Sequence, residues 1–149
     1  MKNIRALVLA ATLFIVVSGC SQSSKKLEKV TDSQDAQFYF NRGYEHQDHG
    51  QLDKAISDYT KVIEMKPEFA DAYFNRGNAH KDKGLLDLAI SDYSKAIEIN
   101  PEDAAAYNNR GIAYIEKKEV TTGCNDIRRS CELGMCGLYD FVKSKGICQ

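Results

Sequence analysis

One phrase is written three times at a constant interval: FYFNRG at 38–43, AYFNRG at 72–77 and AYNNRG at 106–111. Asn41, Asn75 and Asn109 are 34 residues apart, as are Arg42, Arg76 and Arg110, and Gly43, Gly77 and Gly111. The same interval separates Gly50 from Gly84, Ala55 from Ala89 and Pro67 from Pro101. A period of this length means a stack of like units, each burying its apolar face only against its neighbours. With 149 residues the chain has room for one modest domain.

Each unit reads as two helices. In AQFYFNRGYEHQDHG, Tyr39, Arg42, Gly43 and His46 fall along one helical face. Gly50 stops that helix, and in QLDKAISDYTKVIEMKP the residues Leu52, Ala55, Ile56, Tyr59, Val62 and Ile63 form the stripe of a second helix that ends before Pro67. The next unit repeats the scheme with Tyr73, Gly77, Gly84, Leu86, Ala89, Ile90, Tyr93, Ala96, Ile97 and Pro101. A glycine in mid-helix costs stability, so Gly43 opposite Ala55 predicts a close approach of the paired helices.

Tyr39, Gly43, Ala55, Tyr59 and Pro67, with Tyr73, Gly77, Ala89, Tyr93 and Pro101, fall on the signature positions of the tetratricopeptide repeat, and the chain resembles that family over roughly 36–137. The resemblance implies an all-α, right-handed superhelix of helical hairpins: two full repeats (about 36–69 and 70–103), a divergent third (104–137) and a C-terminal capping helix (137–149). It also implies a concave groove lined by the first helix of each pair. Mapped onto this sequence, that groove holds Gln37, Phe40, Asn41, Tyr44 and Gln47, then Asp71, Phe74, Asn75, Asn78 and Lys81, then Asn108, Asn109, Ile112 and Ile115. Rings give contact area and side-chain amides can bond a ligand backbone, so the set suits an extended peptide or a helix; the alternative is that Phe40 and Phe74 pack under the tether or a neighbouring repeat. The family's chaperone-binding members clamp a C-terminal carboxylate with groove lysines. Here Phe40 and Asn108 occupy such places and only Asn75 matches, which argues against that ligand class.

The arginines stand where the family prefers leucine. Asp58, Asp92 and Asp126 each follow an arginine (Arg42, Arg76, Arg110) by sixteen residues, which predicts an ion pair between the two helices of each unit, the arginine stem packed at the core edge; the alternative is a row of ligand-binding arginines. His46 and His80 hold equivalent repeat positions and read as core histidines, with His49 on the surface, so no metal is expected. Asp48 and Asp82 are in register and read as a solvated face.

The third copy drifts. Lys118 replaces the middle glycine, Gly123 takes the small-residue position, no proline ends the unit, and Leu138, Phe141 and Val142 follow in a short amphipathic segment. A terminal helix must cover the apolar face of the last pair, which makes this segment a cap. Four cysteines lie here, Cys124, Cys131, Cys136 and Cys148, with three possible pairings. If the cap folds back antiparallel, its far end returns to the start of the preceding helix. Cys124–Cys148 outside and Cys131–Cys136 across the turn are then favoured, and the outer loop contributes roughly 3 kcal/mol.

At the other end, MKNIR is followed by the apolar run ALVLAATLFIVV and by VSGC, Val17 to Cys20. The run is too short to span a bilayer and suits a secretory signal. It resembles a bacterial lipobox, which implies loss of residues 1–19, acylation of Cys20 and a polar tether over 20–34. Ser21 implies sorting to the outer membrane, facing the periplasm. Loss of Lys2 and Arg5 takes the formal charge from −1 to −3. Acyl chains at roughly 0.8 kcal/mol per buried methylene would hold the protein firmly.

Charge is mixed along the chain with no basic stripe, which excludes nucleic acid as the expected partner. No nucleophile–base arrangement and no phosphate-binding glycine loop appears, so neither an enzyme nor a cofactor is expected. The reading is a membrane-anchored scaffold that binds a protein or peptide partner. The alternatives are an assembly factor resembling pilotin-type repeat lipoproteins, which escort pilus or secretion-channel subunits, and a thiol-redox protein acting through the four C-terminal cysteines.

Overall fold

The computed structural model describes residues 34–148. The expected signal segment, Cys20 and the expected tether lie outside these residues, except for Gln34, which is already helical. Seven helices are described: α1 (34–48), α2 (Leu52–Met65), α3 (Ala70–Asp82), α4 (Leu86–Ile99), α5 (Ala104–Glu116), α6 (Val120–Glu132) and α7 (Gly137–Ser144). The described chain contains no strand. The hairpins α1/α2, α3/α4 and α5/α6 stack in chain order, α3 touching α2 and α5 touching both α4 and α3, and α7 lies on α6.

The hairpin turns share one geometry. The N–H of Gln51, Leu85 and Glu119 each donates to a carbonyl five residues back, that of His46, His80 and Tyr114, at 2.8, 2.9 and 2.9 Å. This closure needs a left-handed residue, supplied by Gly50 at φ 70° and Gly84 at φ 76°. In the third hairpin Lys118 takes the same place at φ 70°. A side chain in this region crowds the following carbonyl. Lys118→Gly is therefore expected to stabilise the protein by about 1 kcal/mol, raising the thermal midpoint by several degrees. An unchanged or lower midpoint would show that the turn carries no such strain.

Between hairpins the chain turns through 66–69 and 100–103. Asp103 closes the second turn by capping α5, its Oδ1 accepting from the N–H of Ala105 at 2.9 Å and Ala106 at 3.1 Å.

The core is a row of small clusters, as expected of units that bury apolar surface on one another. Ala36, Val62 and Ala72 form the first, with Tyr39, Phe40, Ile63 and Phe69 against it. Ala96, Ile97 and Ala106 repeat it one unit on, with Tyr73, Phe74 and Tyr107. Ala89, Tyr93 and Ala113 fill the space between α3, α4 and α5. The last cluster joins Cys124, Ile127, Val142 and Cys148, flanked by Ile115, Leu138 and Tyr139. Here α7 covers α6, and two disulfides hold the end of the chain: Cys124–Cys148, with Cα atoms 5.5 Å apart, and Cys131–Cys136, with Cα atoms 4.0 Å apart. Every cysteine of the described residues is thus in a disulfide.

Candidate partner-binding groove

Three arginines tie the stack together. Arg42 grips Asp58 with Nε to Oδ2 at 2.7 Å and Nη2 to Oδ1 at 2.6 Å. Arg76 holds Asp92 at 3.0 and 2.7 Å, and Arg110 holds Asp126 at 2.7 and 2.9 Å, in the same two-pronged way. The third prong reaches back one repeat: Nη1 of Arg76 donates to Thr60 Oγ1 and Nη1 of Arg110 to Ser94 Oγ, both at 3.0 Å. Each guanidinium also lies over the tyrosine one turn earlier, 5.0 Å from the Tyr39 ring, 5.7 Å from Tyr73 and 5.5 Å from Tyr107. His80 adds a bond from Nδ1 to Asp92 Oδ2 at 2.9 Å, whereas His46 stands 3.8 Å from Asp58. The Arg42 guanidinium, through its hydrogen bonds, holds the Asp58 carboxyl below its ordinary value against the opposing effect of burial. With its acidic partner inside its own hairpin, each arginine acts as a fastener between paired helices.

What α1, α3 and α5 do present is a chain of amides. Tyr44, Gln47, Asp48, Asn75 and Asn78 line a cavity of about 230 Å3 between α1 and α3. Its polar groups are fixed from behind. Tyr59 Oη donates to Gln47 Oε1 at 3.1 Å, and Asn78 Oδ1 accepts from Tyr93 Oη at 2.8 Å and from Asn109 Nδ2 at 2.9 Å. With its carbonyl oxygen doubly engaged, Asn78 has its amide N–H groups left for the cavity. Asn75 donates to the Asp71 carbonyl at 2.9 Å, which leaves its own Oδ1 as an acceptor. Tyr44 is 62% exposed at the rim. Burial, with a smaller contribution from the negative charge of Asp58 and the neighbouring Tyr44 phenol, pushes the Tyr59 phenol up to about 12, so it stays a donor at neutral pH.

The groove residues expected from sequence divide into two groups. Asn41, Tyr44, Asn75, Asn78, Lys81, Asn109 and Ile112 are exposed or half-buried, with Lys81 3.4 Å from Asp82. Phe40 and Phe74 are half-buried as well, but their rings are engaged by neighbouring rings. Phe40 packs on Tyr59 at 5.8 Å and on Phe69 at 5.1 Å between ring centres, and Phe74 on Tyr93 at 5.9 Å. Ile115 also leaves the set, because it packs on the terminal cluster beside Ile127. Asn108 takes the third-repeat place of these phenylalanines. Its Nδ2 donates to Asn109 Oδ1 at 3.4 Å, while its Oδ1 is buried without a partner. Asp48, read from the sequence as part of a solvated face, is exposed and also lines the cavity. Its register with Asp82 and Glu116 was the available signal.

Among the described residues no group of His, Cys, Asp and Glu could hold a metal ion, and no helix is long and apolar enough to cross a membrane.

Similarity to known proteins agrees with this architecture. Profiles described as tetratricopeptide repeat match residues 70–103 and 92–125, and one described as TPR repeat matches 43–84. Together they run unbroken from 43 to 125, more than half of the chain. No curated protein matches the chain in sequence. Among solved structures, the first TPR of Spaghetti (RPAP3) bound to the HSP90 peptide SRMEEVD is 26% identical, with a TM-score of 0.72 over 77% of this chain and 91% of that one. The TPR2B domain of yeast Sti1 in complex with pHsp70 is 25% identical, with a TM-score of 0.67 over 76% and 90%. The Arabidopsis OM64 TPR domain shares the fold at 23% identity, with a TM-score of 0.73 over 78% and 96%. On its repeated residues, its stacked hairpins and these similarities, the chain belongs to the tetratricopeptide repeat family.

Proposed function

We propose that the protein is a non-catalytic scaffold that takes an extended peptide or a helix of a partner protein in the groove of α1, α3 and α5. The observation that carries this reading is the cavity of Tyr44, Gln47, Asp48, Asn75 and Asn78, whose amides are oriented from behind and left open in front. Such pre-organised amides lower the ordering cost of binding a peptide backbone. Two similar structures support it, one bound to an HSP90 peptide and one in complex with pHsp70. Residues 1–19 as a lipoprotein signal, Cys20 as the acylated residue and 20–34 as a tether would hold this groove at a bacterial membrane, facing the periplasm. The support for that part is the order of positive start, apolar run, small residues and cysteine.

The test is a crosslinked pull-down from cell envelopes, comparing the natural protein with Tyr44→Ala/Asn75→Ala. These two side chains line the cavity without filling a core, so the variant keeps its fold, unlike one truncated at Phe40 and Phe74. A partner captured by the natural protein and lost by the variant is expected. A partner retained equally would move recognition elsewhere on the surface. Identification of a pilus or secretion-channel subunit would make the protein an assembly factor. In parallel, Cys20→Ser is expected to shift the protein from the membrane to the soluble fraction, and continued sedimentation with membranes would count against the anchor.

A further inference from the structure

The groove carries a charge that its peptide-bound relatives' ligand does not match. Asp48, Asp82 and Glu116 follow one another at the repeat interval of 34, each as the last residue of α1, α3 and α5. A carboxylate at a helix C-terminus faces the negative end of the helix dipole, so each is electrostatically unfavourable to its own helix. Several of the neighbouring basic groups are engaged elsewhere. Lys83 is paired with Asp53, Lys117 reaches Asp87 at 2.6 Å and Glu119 at 2.9 Å, and the His49 ring bonds the Glu45 carbonyl. Among the described residues Lys81 faces Asp82 at 3.4 Å, and Lys118 stands exposed two residues beyond Glu116.

Asp82 and Glu116 hold the places at the ends of α3 and α5 that Asp48 holds at the end of α1. Asp48 lines the cavity with Asn75 and Asn78. A second feature asks for a donor independently of charge. Asn108 Oδ1 is buried without a partner at the end of the amide chain Asn78–Asn109–Asn108. An N–H group of a ligand would satisfy it, and a carboxylate would not. The HSP90 peptide of the similar complex, SRMEEVD, sets three acidic residues against one arginine, and such a ligand would meet this row with like charge.

Resting on the groove reading, we propose that the partner segment is basic, with lysine or arginine side chains meeting Asp48, Asp82 and Glu116 while its backbone lies along the Asn75–Asn78–Asn109 amides. The row sets register as well as sign, because successive carboxylates mark successive hairpins. Long-range attraction also draws a cationic segment to the groove before contact is made.

A displayed library of random dodecapeptides, selected on the full-length protein, tests this. The pool retained by the natural protein and not by Tyr44→Ala/Asn75→Ala is expected to be enriched in Lys and Arg. Its best members should bind about tenfold more weakly to Asp48→Asn/Asp82→Asn/Glu116→Gln, and more weakly to the natural protein as salt rises. These replacements are isosteric and surface-exposed, so the fold is preserved, which circular dichroism verifies. A retained pool that is neutral or acidic, or one that binds the triple variant unchanged, overturns the charge preference while the groove stands. Failure to recover any pool sensitive to Tyr44→Ala/Asn75→Ala overturns the groove reading and this inference with it.

Discussion

Asp92→Ala is expected to destabilise the protein by about 3 kcal/mol, because it removes one member of a buried charge cluster and leaves the others behind. Asp92 receives two bonds from Arg76 and one from His80, and its own side chain is nearly inaccessible. The Arg76 side chain is 19% exposed and that of His80 11%, so neither regains full hydration when the carboxylate goes. Asp58→Ala is the internal comparison. Its partner Arg42 is 37% exposed and His46 stands 3.8 Å away, so the orphaned groups are rehydrated more easily and about half the loss is expected. Thermal unfolding followed by far-UV circular dichroism should place the Asp92→Ala midpoint roughly 10–15 °C below that of the natural protein. Adding Arg76→Leu should recover much of the loss, since the uncompensated charge is then gone. Equal losses for Asp58→Ala and Asp92→Ala, or no recovery in the double variant, would show that orphaned charge is not the cause.

The same residues show where sequence reasoning reaches and where it stops. A glycine and a small residue on facing helices at a fixed period leave few packings besides stacked hairpins, so the architecture was legible before any coordinates. Sixteen residues is also the interval across one hairpin between a guanidinium and the carboxylate opposite it, as Arg42 and Asp58 illustrate. The third prong was not legible, because the hydroxyl it meets belongs to the preceding repeat and is threonine in one case and serine in the other. For Phe40 the sequence left two readings open, groove lining and packing under a neighbouring repeat, and could not choose between them. Its neighbour Phe69 lies in the turn between repeats, and the equivalent residue one unit on is Asp103, which caps a helix instead. Periodicity finds the face on which a residue stands but not which loop folds over it. Asp48 and Asp82 are exposed, as a solvated face requires; that Asp48 also borders a cavity depends on which residues of the next helix come beside it, and register alone does not give that.

Gly123→Ala is the substitution for which sequence and structure predict opposite signs. Ala55 and Ala89 occupy the same place in the first two repeats, and alanine favours a helix over glycine by about 1 kcal/mol, so the repeat pattern presents the change as harmless or stabilising. The third hairpin, however, is packed differently. In the second, Gly77 faces the Tyr93 ring, and a Cβ there would stand 2.8 Å from Tyr93 Cε1. In the third, isoleucine replaces that tyrosine, and Gly111 and Gly123 face one another backbone to backbone. A Cβ on Gly123 would stand 2.6 Å from the Gly111 carbonyl oxygen and 2.7 Å from Ile115 Cγ1. A main-chain oxygen inside a helix has no rotamer to retreat into, so α5 and α6 would have to separate. That would loosen the contact on which α7 and the Cys124–Cys148 disulfide are built. Overpacking of this kind should outweigh the propensity gain and give a net loss of about 2 kcal/mol in chemical denaturation. Gly137→Ala, with nothing within 4 Å of the added carbon, is expected to change stability by no more than about 0.5 kcal/mol. If Gly123→Ala proved as stable as the natural protein, the close approach of α5 and α6 would be refuted, and the third hairpin would have to pack as the first two do.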